Sequence, residues 1–335
     1  MGFLIDMIAV GQGDALLLTL DTPLGETHIL IDGGPPSAGD LVADFVIKHA
    51  GGHLHAMIAT HLDIDHVGGL KRVAERCTVD YLYANLPPHV RNLLLTLIFQ
   101  KLDKKKAGKL WDRIEESLNA AADLIDVLGA RGVFPTPLLA GEFFPLGNGN
   151  VRLNILNPTQ AKLDEAWAEI EEDEAPLQKA MRMLSEVTAK AMGFEAAPET
   201  TAENNSSIVL ELVYDGTPYA LFTADAGADT LRAVTNNTRY PFLKVPHHGS
   251  NTGLDEALIA QLAPAIAFIP VGPNNYGHPA NDILDLLRTH GAATYCSERV
   301  NHCRQACPVT GSRNICQAHG RPHRATWGPV ARCSN

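Results

Sequence analysis

No stretch of the 335 residues approaches the roughly 20 consecutive apolar residues that a membrane-spanning helix requires; the run Leu93-Leu-Leu-Thr-Leu-Ile-Phe99 is far too short. The start, Met1-Gly-Phe-Leu-Ile-Asp6, has neither the basic residues nor the small-residue cleavage site of a secretory signal. A cytoplasmic location with no membrane association is therefore expected. Basic residues are also scarce, 27 Lys and Arg against 38 Asp and Glu for a net charge of −11, which argues against a broad polyanion-binding surface. Cysteine is nearly absent until the end: five of the six, Cys296, Cys303, Cys307, Cys316 and Cys333, fall in the last 40 residues.

What is present is a hydrophobic content of 45%, enough for a soluble chain of this length to bury a large core. Short apolar runs separated by tight connections dominate the first third. Phe3 to Val10 and Ala15 to Leu20 read as strands around the turn Gly11-Gln-Gly-Asp14, and His28-Ile-Leu-Ile-Asp32 as a third strand ending at Gly33-Gly34. A helix over 39–49 and a strand over 56–60 follow, then, within Val67 to Arg76, Gly68 and Gly69 followed by a helical pattern, and a strand over 79–83. This order points to an α/β protein with antiparallel or mixed sheets. Residues 88–131 carry apolar positions at helical spacing and the charged cluster Lys101-Leu-Asp-Lys-Lys-Lys106, which reads as a helical insertion with a solvated face. Phe143 to Asn150 reads as a turn before a strand over 151–156. The acidic stretch from about 160 to 203 reads as surface helices and a mobile segment.

The densest chemistry lies between His61 and Gly69. Within six positions the chain offers His61, Asp63, Asp65 and His66, interleaved with the apolar Leu62 and Ile64. Asp65 alone would read as a helix cap. Four such groups together, on a loop between a buried strand and a helix, call for a metal held by imidazole and carboxylate, such as Zn²⁺, Mn²⁺ or Fe.

The second half repeats the pattern of polar groups at strand ends. The hairpin signal Asp215-Gly216 joins two strands, the second of which ends at Asp225. The strand Phe242 to Pro246 ends at His247-His248-Gly249-Ser250, and that from Ala265 to Val271 leads to Asn275-Tyr-Gly-His278-Pro279. Their shared position predicts one site built from strand ends, with donors for two metal ions. Asp32, at the end of another strand, reads either as a turn residue or as a support for a ligand.

The loop His61-x-Asp-x-Asp-His-x-Gly-Gly69 resembles the signature of the metallo-β-lactamase fold superfamily. An ordered set of further motifs is similar to its ComEC-type branch, which includes the hydrolase domain of bacterial DNA-uptake channels. They are Val10-Gly-Gln-Gly-Asp14, Ile29-Leu-Ile-Asp-Gly-Gly34, Asn204-Asn-Ser-Ser-Ile-Val-Leu210, Thr223-Ala-Asp225, Lys244-Val-Pro-His-His-Gly-Ser250 and Asn275-Tyr-Gly-His-Pro279. The resemblance implies a four-layer αββα sandwich over residues 1–296, with helical insertions near 88–131 and 160–203.

It further implies two divalent ions, Zn²⁺ or Mn²⁺. His61 and Asp63 would serve one, Asp65, His66 and His248 the other, and Asp225 would bridge them. Asp63 stands where the superfamily commonly has a histidine, which shifts preference toward Mn²⁺ or Mg²⁺. Asn204 or Asn205 stands near the place of another expected histidine. Asp65, His247 and His278 become candidates for catalysis, and Asp32, Asn205, Ser250 and Asn275 for substrate contact or ligand support. The implied chemistry is attack of a water held between two cations on a phosphodiester, DNA or RNA, that is, a nuclease. The rival readings are a hydrolase of a small ester, lactone or thioester, and a partner-binding module with a structural or vestigial metal site.

Residues 297–335 form a different region. They hold six arginines against one acid, Glu298, a net +5, which leaves −16 on the remainder. Such an end can pack on the acidic body, contact nucleic acid or bind a protein partner. Cys303, Cys307, Cys316 and His319 offer a possible structural zinc site, although their spacing matches no standard finger; disulfides and incidental thiols are the alternatives.

Overall fold

The computed structural model describes residues 3–22, 25–85, 119–146, 151–164, 202–298, 300 and 323–327. Two mixed seven-stranded sheets form its centre. The first contains β1 (Phe3–Met7), β2 (Leu16–Thr22), β3 (Gly25–Ile31), β4 (His53–Ala59), β5 (Thr78–Ala84), β6 (Pro135–Thr136) and β14 (His323–Trp327), in the order β14-β1-β2-β3-β4-β5-β6. The second contains β7 (Phe143–Leu146), β8 (Val151–Asn157), β9 (Val209–Tyr214), β10 (Thr217–Phe222), β11 (Phe242–Lys244), β12 (Ile266–Ile269) and β13 (Ala293–Cys296), in the order β13-β12-β11-β10-β9-β8-β7. In each sheet the early strands pair antiparallel and the later ones parallel: β3 to β6 in the first, β10 to β13 in the second. The parallel ladders require crossovers, and helices supply them.

Residue alternation decides which face each strand turns to which layer. Leu16, Leu18 and Leu20 of β2 join Leu210 and Leu212 of β9 and Phe222 and Phe242 of the second sheet in one core between the sheets. Their neighbours face outward: Leu17 packs with α1 (Gly39–Ala50), α3 (Leu70–Arg76) and the helix α4 over 119–129, while Val209, Leu221 and Leu243 pack with the helices of the second half. Those are α5 (Ala228–Thr235), α6 (Glu256–Leu262) and α7 (Asn281–Thr289). Helix, sheet, sheet and helix thus form four layers, the αββα sandwich expected. The hairpin of β9 and β10 turns at Asp215 and Gly216, with φ of 47° and 76°, the left-handed pair that a tight two-residue turn demands.

Two expectations need adjustment. Phe143–Leu146, read as part of a turn, is a strand; it lies at the edge of the second sheet, where Pro145 costs no ladder bond that an interior strand would need. The helix expected after Gly68 and Gly69 is α3, and a further short helix, α2 (Ile64–Val67), precedes the two glycines. The basic C-terminal region does not stand wholly apart from the hydrolase-like body: His323–Trp327 pairs antiparallel with β1 and covers what would be an open sheet edge. Lys101 to Lys106, the stretch 165–201 and the zinc candidates Cys303, Cys307, Cys316 and His319 lie outside the described residues. No helix among the described residues is long and apolar enough to cross a membrane.

Candidate metal centre

The ends of β3, β4, β10 and β11 meet at one point, and the backbone there is unusual. Asp32 after β3, Ala224 after β10, and His247 and His248 after β11 all have positive φ, from 46° to 58°. Left-handed backbone costs a non-glycine residue roughly 1–2 kcal/mol, and such strain gathers where side chains must be aimed. At β11 the turn swings both histidines back toward Asp225. Glycine is needed where the loops touch: a Cβ on Gly13 would strike the carbonyl oxygen of Asp65, and one on Gly69 that of Gly33. Backbone bonds lace the same loops together, Asp14 N to Asp65 O at 3.2 Å, Gly33 N to His66 O at 2.8 Å and Gly69 N to Gly34 O at 2.8 Å.

Three imidazoles point the same way. His61, His66 and His248 each have the Nδ1 edge committed: to Thr60 Oγ1 at 3.1 Å, to Asp32 Oδ2 at 2.9 Å and to the carbonyl oxygen of Pro270 at 2.9 Å. Asp32 also accepts from Thr60 N at 2.9 Å and from Thr60 Oγ1 at 2.7 Å, so its two oxygens hold the whole His61–His66 loop. The Nε2 edges are buried, without a hydrogen-bond partner, and the same is true of Asp225 Oδ1. Around them, His66 Nε2 lies 3.5 Å from Asp225 Oδ1, and His248 Nε2 lies 3.6 Å from Asp225 Oδ2 and 3.2 Å from Asp65 Oδ2. His61 Nε2 lies 3.6 Å from Asp63 Oδ2, on a side chain 43% exposed.

Buried polar atoms left without partners are costly. Imidazole nitrogens fixed through their far edge are how proteins present histidine to a metal. This nitrogen and carboxylate donor set fits a divalent transition ion. Donor atoms of His61, His66 and Asp225 lie within 4.8 Å of one another, so His66, expected beside Asp65 and His248, is grouped with His61 as well. Asp14, His66 and His248 form a second such group. Asp14 approaches those rings at their Nδ1 atoms, 3.9 Å from His66 and 3.3 Å from His248, so we read it as a support rather than a ligand.

Two residues of the site were given no role by the sequence reading, Asp14 and Lys244. Lys244 shares the face of β11 with Phe242, between the sheets, and is fully buried. Its ammonium pairs with Asp14, donates to the carbonyl oxygen of Ala224 at 2.7 Å and lies 3.5 Å from Asp225. A lysine inside an apolar strand was the available signal, since a buried ammonium needs a partner.

The charges hold one another. Burial raises the carboxyl of Asp14, but Lys244 and the two histidines outweigh it and keep it below its usual range. Asp225, buried among His248, His66, His247 and Lys244, is held far below. Asp65 is likewise lowered, burial being overcome by His248 and His66. Burial lowers the imidazoles, yet the carboxylates win: His66 is raised well above the usual imidazole value, and His248 is pushed up to about 10 by Asp225, Asp14 and Asp65. His61 is raised by Asp63 and Asp225 against burial and His66.

The remaining candidates divide. His247 Nε2 lies 3.8 Å from Asp225 Oδ2, and its ring is 5.4 Å from that of His278, so both stand beside the centre. Ser250 is buried and bonds Thr252 at 3.0 Å, bracing the turn after His248. Asn205 works in the scaffold: its side-chain oxygen accepts from Thr230 Oγ1 at 3.1 Å and its carbonyl from Asn157 Nδ2 at 2.9 Å. Asn275 is exposed, and the bracing of its loop falls to Asn274.

Comparison with known proteins agrees with this geometry. Residues 8–98 match the family model of the metallo-beta-lactamase superfamily. The match covers the stretch that carries Asp14, Asp32, His61, Asp63, Asp65 and His66, so this part of the chain is similar to that superfamily. A more particular likeness is to ComE operon protein 3 of Bacillus subtilis (strain 168), 26% identical over 306 residues that cover 85% of this chain and 30% of that protein. The chain thus spans less than a third of its relative's length. Similar solved structures include Igni18, a metallo hydrolase from the hyperthermophilic archaeon Ignicoccus hospitalis, at 11% identity over 88% of this chain and 82% of that one, with a TM-score of 0.38. A diphosphatase of the PhnP family is also similar, at 11% identity over 88% of this chain and 85% of that one, TM-score 0.38.

Proposed function

We propose that this chain is a metal-dependent phosphodiesterase that cuts DNA or RNA. The observation that carries the reading is the convergence of three buried, unpartnered Nε2 atoms on Asp225, with Asp63 and Asp65 alongside. Divalent cations held there, Zn²⁺ or Mn²⁺, supply positive charge against the transition state of phosphoryl transfer and acidify water. This chain's residues do the rest. Asp65, whose carboxylate stays ionised, orients the attacking water. Asp225 and His248 fix the direction of approach. His247 and His278, beside Asp225, hold the phosphate oxygens and give a proton to the departing oxygen. Asp32, Thr60 and Pro270 keep the rings in place throughout.

The ComEC-type motifs, together with the likeness to ComE operon protein 3, support nucleic acid as the substrate class. The basic C-terminal residues are proposed as a contact for that substrate or for a protein partner, and a cytoplasmic setting is proposed. Purified protein supplied with Mn²⁺ or Zn²⁺ should cleave DNA, RNA or bis-p-nitrophenyl phosphate, and Asp65→Ala should not. Equal activity in that variant would sink the mechanism. Hydrolysis of a lactone or thioester alone would assign the small-substrate reading instead.

A further inference from the structure

We infer that Tyr276 is a stacking platform for a nucleobase next to the phosphate held at the metal centre. The inference rests on the phosphodiesterase reading above and names the part of the substrate the protein grips beyond the reacting group. A line of rings leads outward from the centre. His247 reaches Asp225 at 3.8 Å, the rings of His247 and His278 are 5.4 Å apart, and those of His278 and Tyr276 are 5.9 Å apart with planes tilted by only 35°. The first two of these are buried, whereas Tyr276 is 40% exposed. The last ring therefore presents aromatic surface to solvent beside the place where a phosphate would sit.

The platform is held rigidly. Its loop folds around the side chain of Asn274, whose amide donates to the carbonyl oxygens of Gly272 at 2.8 Å and His278 at 2.7 Å. The side-chain oxygen of Asn274 accepts from Tyr276 N at 3.0 Å and His278 N at 3.2 Å. One residue thus ties the histidine that faces the phosphate to the tyrosine beyond it, so little ordering remains to oppose binding. Asn275, exposed beside the ring, offers an amide donor and acceptor to a base edge. A single ring with one polar neighbour suits a base of any identity, since every base has a flat face.

The test uses the 335-residue chain loaded with Mn²⁺. Calorimetry compares thymidine 5′-monophosphate with deoxyribose 5-phosphate, which lacks the base. Base stacking on an aromatic side chain predicts roughly 5- to 150-fold tighter binding of the nucleotide, lost in Tyr276→Ala and largely kept in Tyr276→Phe. In turnover, Tyr276→Ala should raise KM for thymidine 5′-(p-nitrophenyl phosphate) by a similar factor with little change in kcat, and leave methyl p-nitrophenyl phosphate unaffected. Equal affinity of wild-type protein for the two ligands would overturn the inference, as would Tyr276→Phe binding as poorly as Tyr276→Ala. Base-dependent binding without any phosphodiester cleavage would uphold the platform and remove the phosphodiesterase reading.

Discussion

Replacing Lys244 with methionine should destabilise the metal-free protein more than any surface substitution. The side chain is fully buried and its ammonium is the one that neutralises Asp14, itself only 1% exposed. Methionine fills a similar volume, so packing is largely kept and the loss is electrostatic. Removing one partner of a buried ion pair costs about 3–5 kcal/mol, because the other charge is left uncompensated. Here Asp225, 3.5 Å away, loses a counter-charge as well, which favours the upper half of that range. Typical total stability is about 5–15 kcal/mol, so the variant should still fold. Urea unfolding of EDTA-treated protein, followed by circular dichroism, reads the loss as a lower midpoint at unchanged slope. Asp14→Asn should also destabilise, and the double variant Asp14→Asn/Lys244→Met should recover much of the summed loss, since it buries no unpaired charge of that pair. Additive losses in the double variant, or a cost below about 1 kcal/mol for Lys244→Met alone, would refute the pairing argument.

Other outcomes follow from the same geometry. Asp32→Asn keeps the shape but weakens the grip on His66 Nδ1; metal affinity measured by competition with a chelator should fall roughly 10- to 100-fold. His66 and His248 are raised above the ordinary imidazole value of 6.5, so without metal they carry protons at neutral pH. Loading must expel those protons, and calorimetry in buffers of different ionisation enthalpy should find proton release with affinity rising from pH 7 to 9; no release would contradict the charge network. Stability of the metal-free protein should depend on pH in both directions. Raised imidazoles stabilise fully below 6.5 and lose that contribution as pH climbs through about 10. The depressed carboxylates of Asp14, Asp65 and Asp225 stabilise above their ordinary value near 3.8 and lose it as pH falls below. A urea midpoint that rose between pH 6.5 and 10 would be inconsistent with this.

Much of the arrangement was legible because apolar runs here stop abruptly at Gly, Pro, Asp or His. The ends of β4, β10 and β11 were visible in this way, and with them His61, His66, Asp225 and His248. Lys244 was harder. It sits in the apolar strand Phe242–Lys244, and its partner Asp14 is 230 positions away, on the turn between two strands of the other sheet. Only the fold reveals that a charge in one strand is answered from the other half. Asn274 and Asn275 are neighbours of one type, and which of them braces the loop depends on how the chain turns around Gly277, with its φ of 79°. Phe143–Leu146 was masked by Pro145 and the glycines after it, because an edge position forgives residues that an interior strand excludes. The left-handed residues at 32, 224, 247 and 248 carry no glycine to mark them. Their backbone is set by how the strand-end loops meet at the cluster, not by local preference.

The donors are divided between distant parts of the chain: His61, Asp63, Asp65 and His66 lie in the first fifth, Asp225 and His248 beyond the midpoint. During synthesis on the ribosome, the early loop emerges with its own supports, Asp32 and Thr60, but with nothing to close the cage. Asp225 and His248 arrive more than 150 residues later. A product terminated before Asp225 therefore carries only the early part of the candidate donor set.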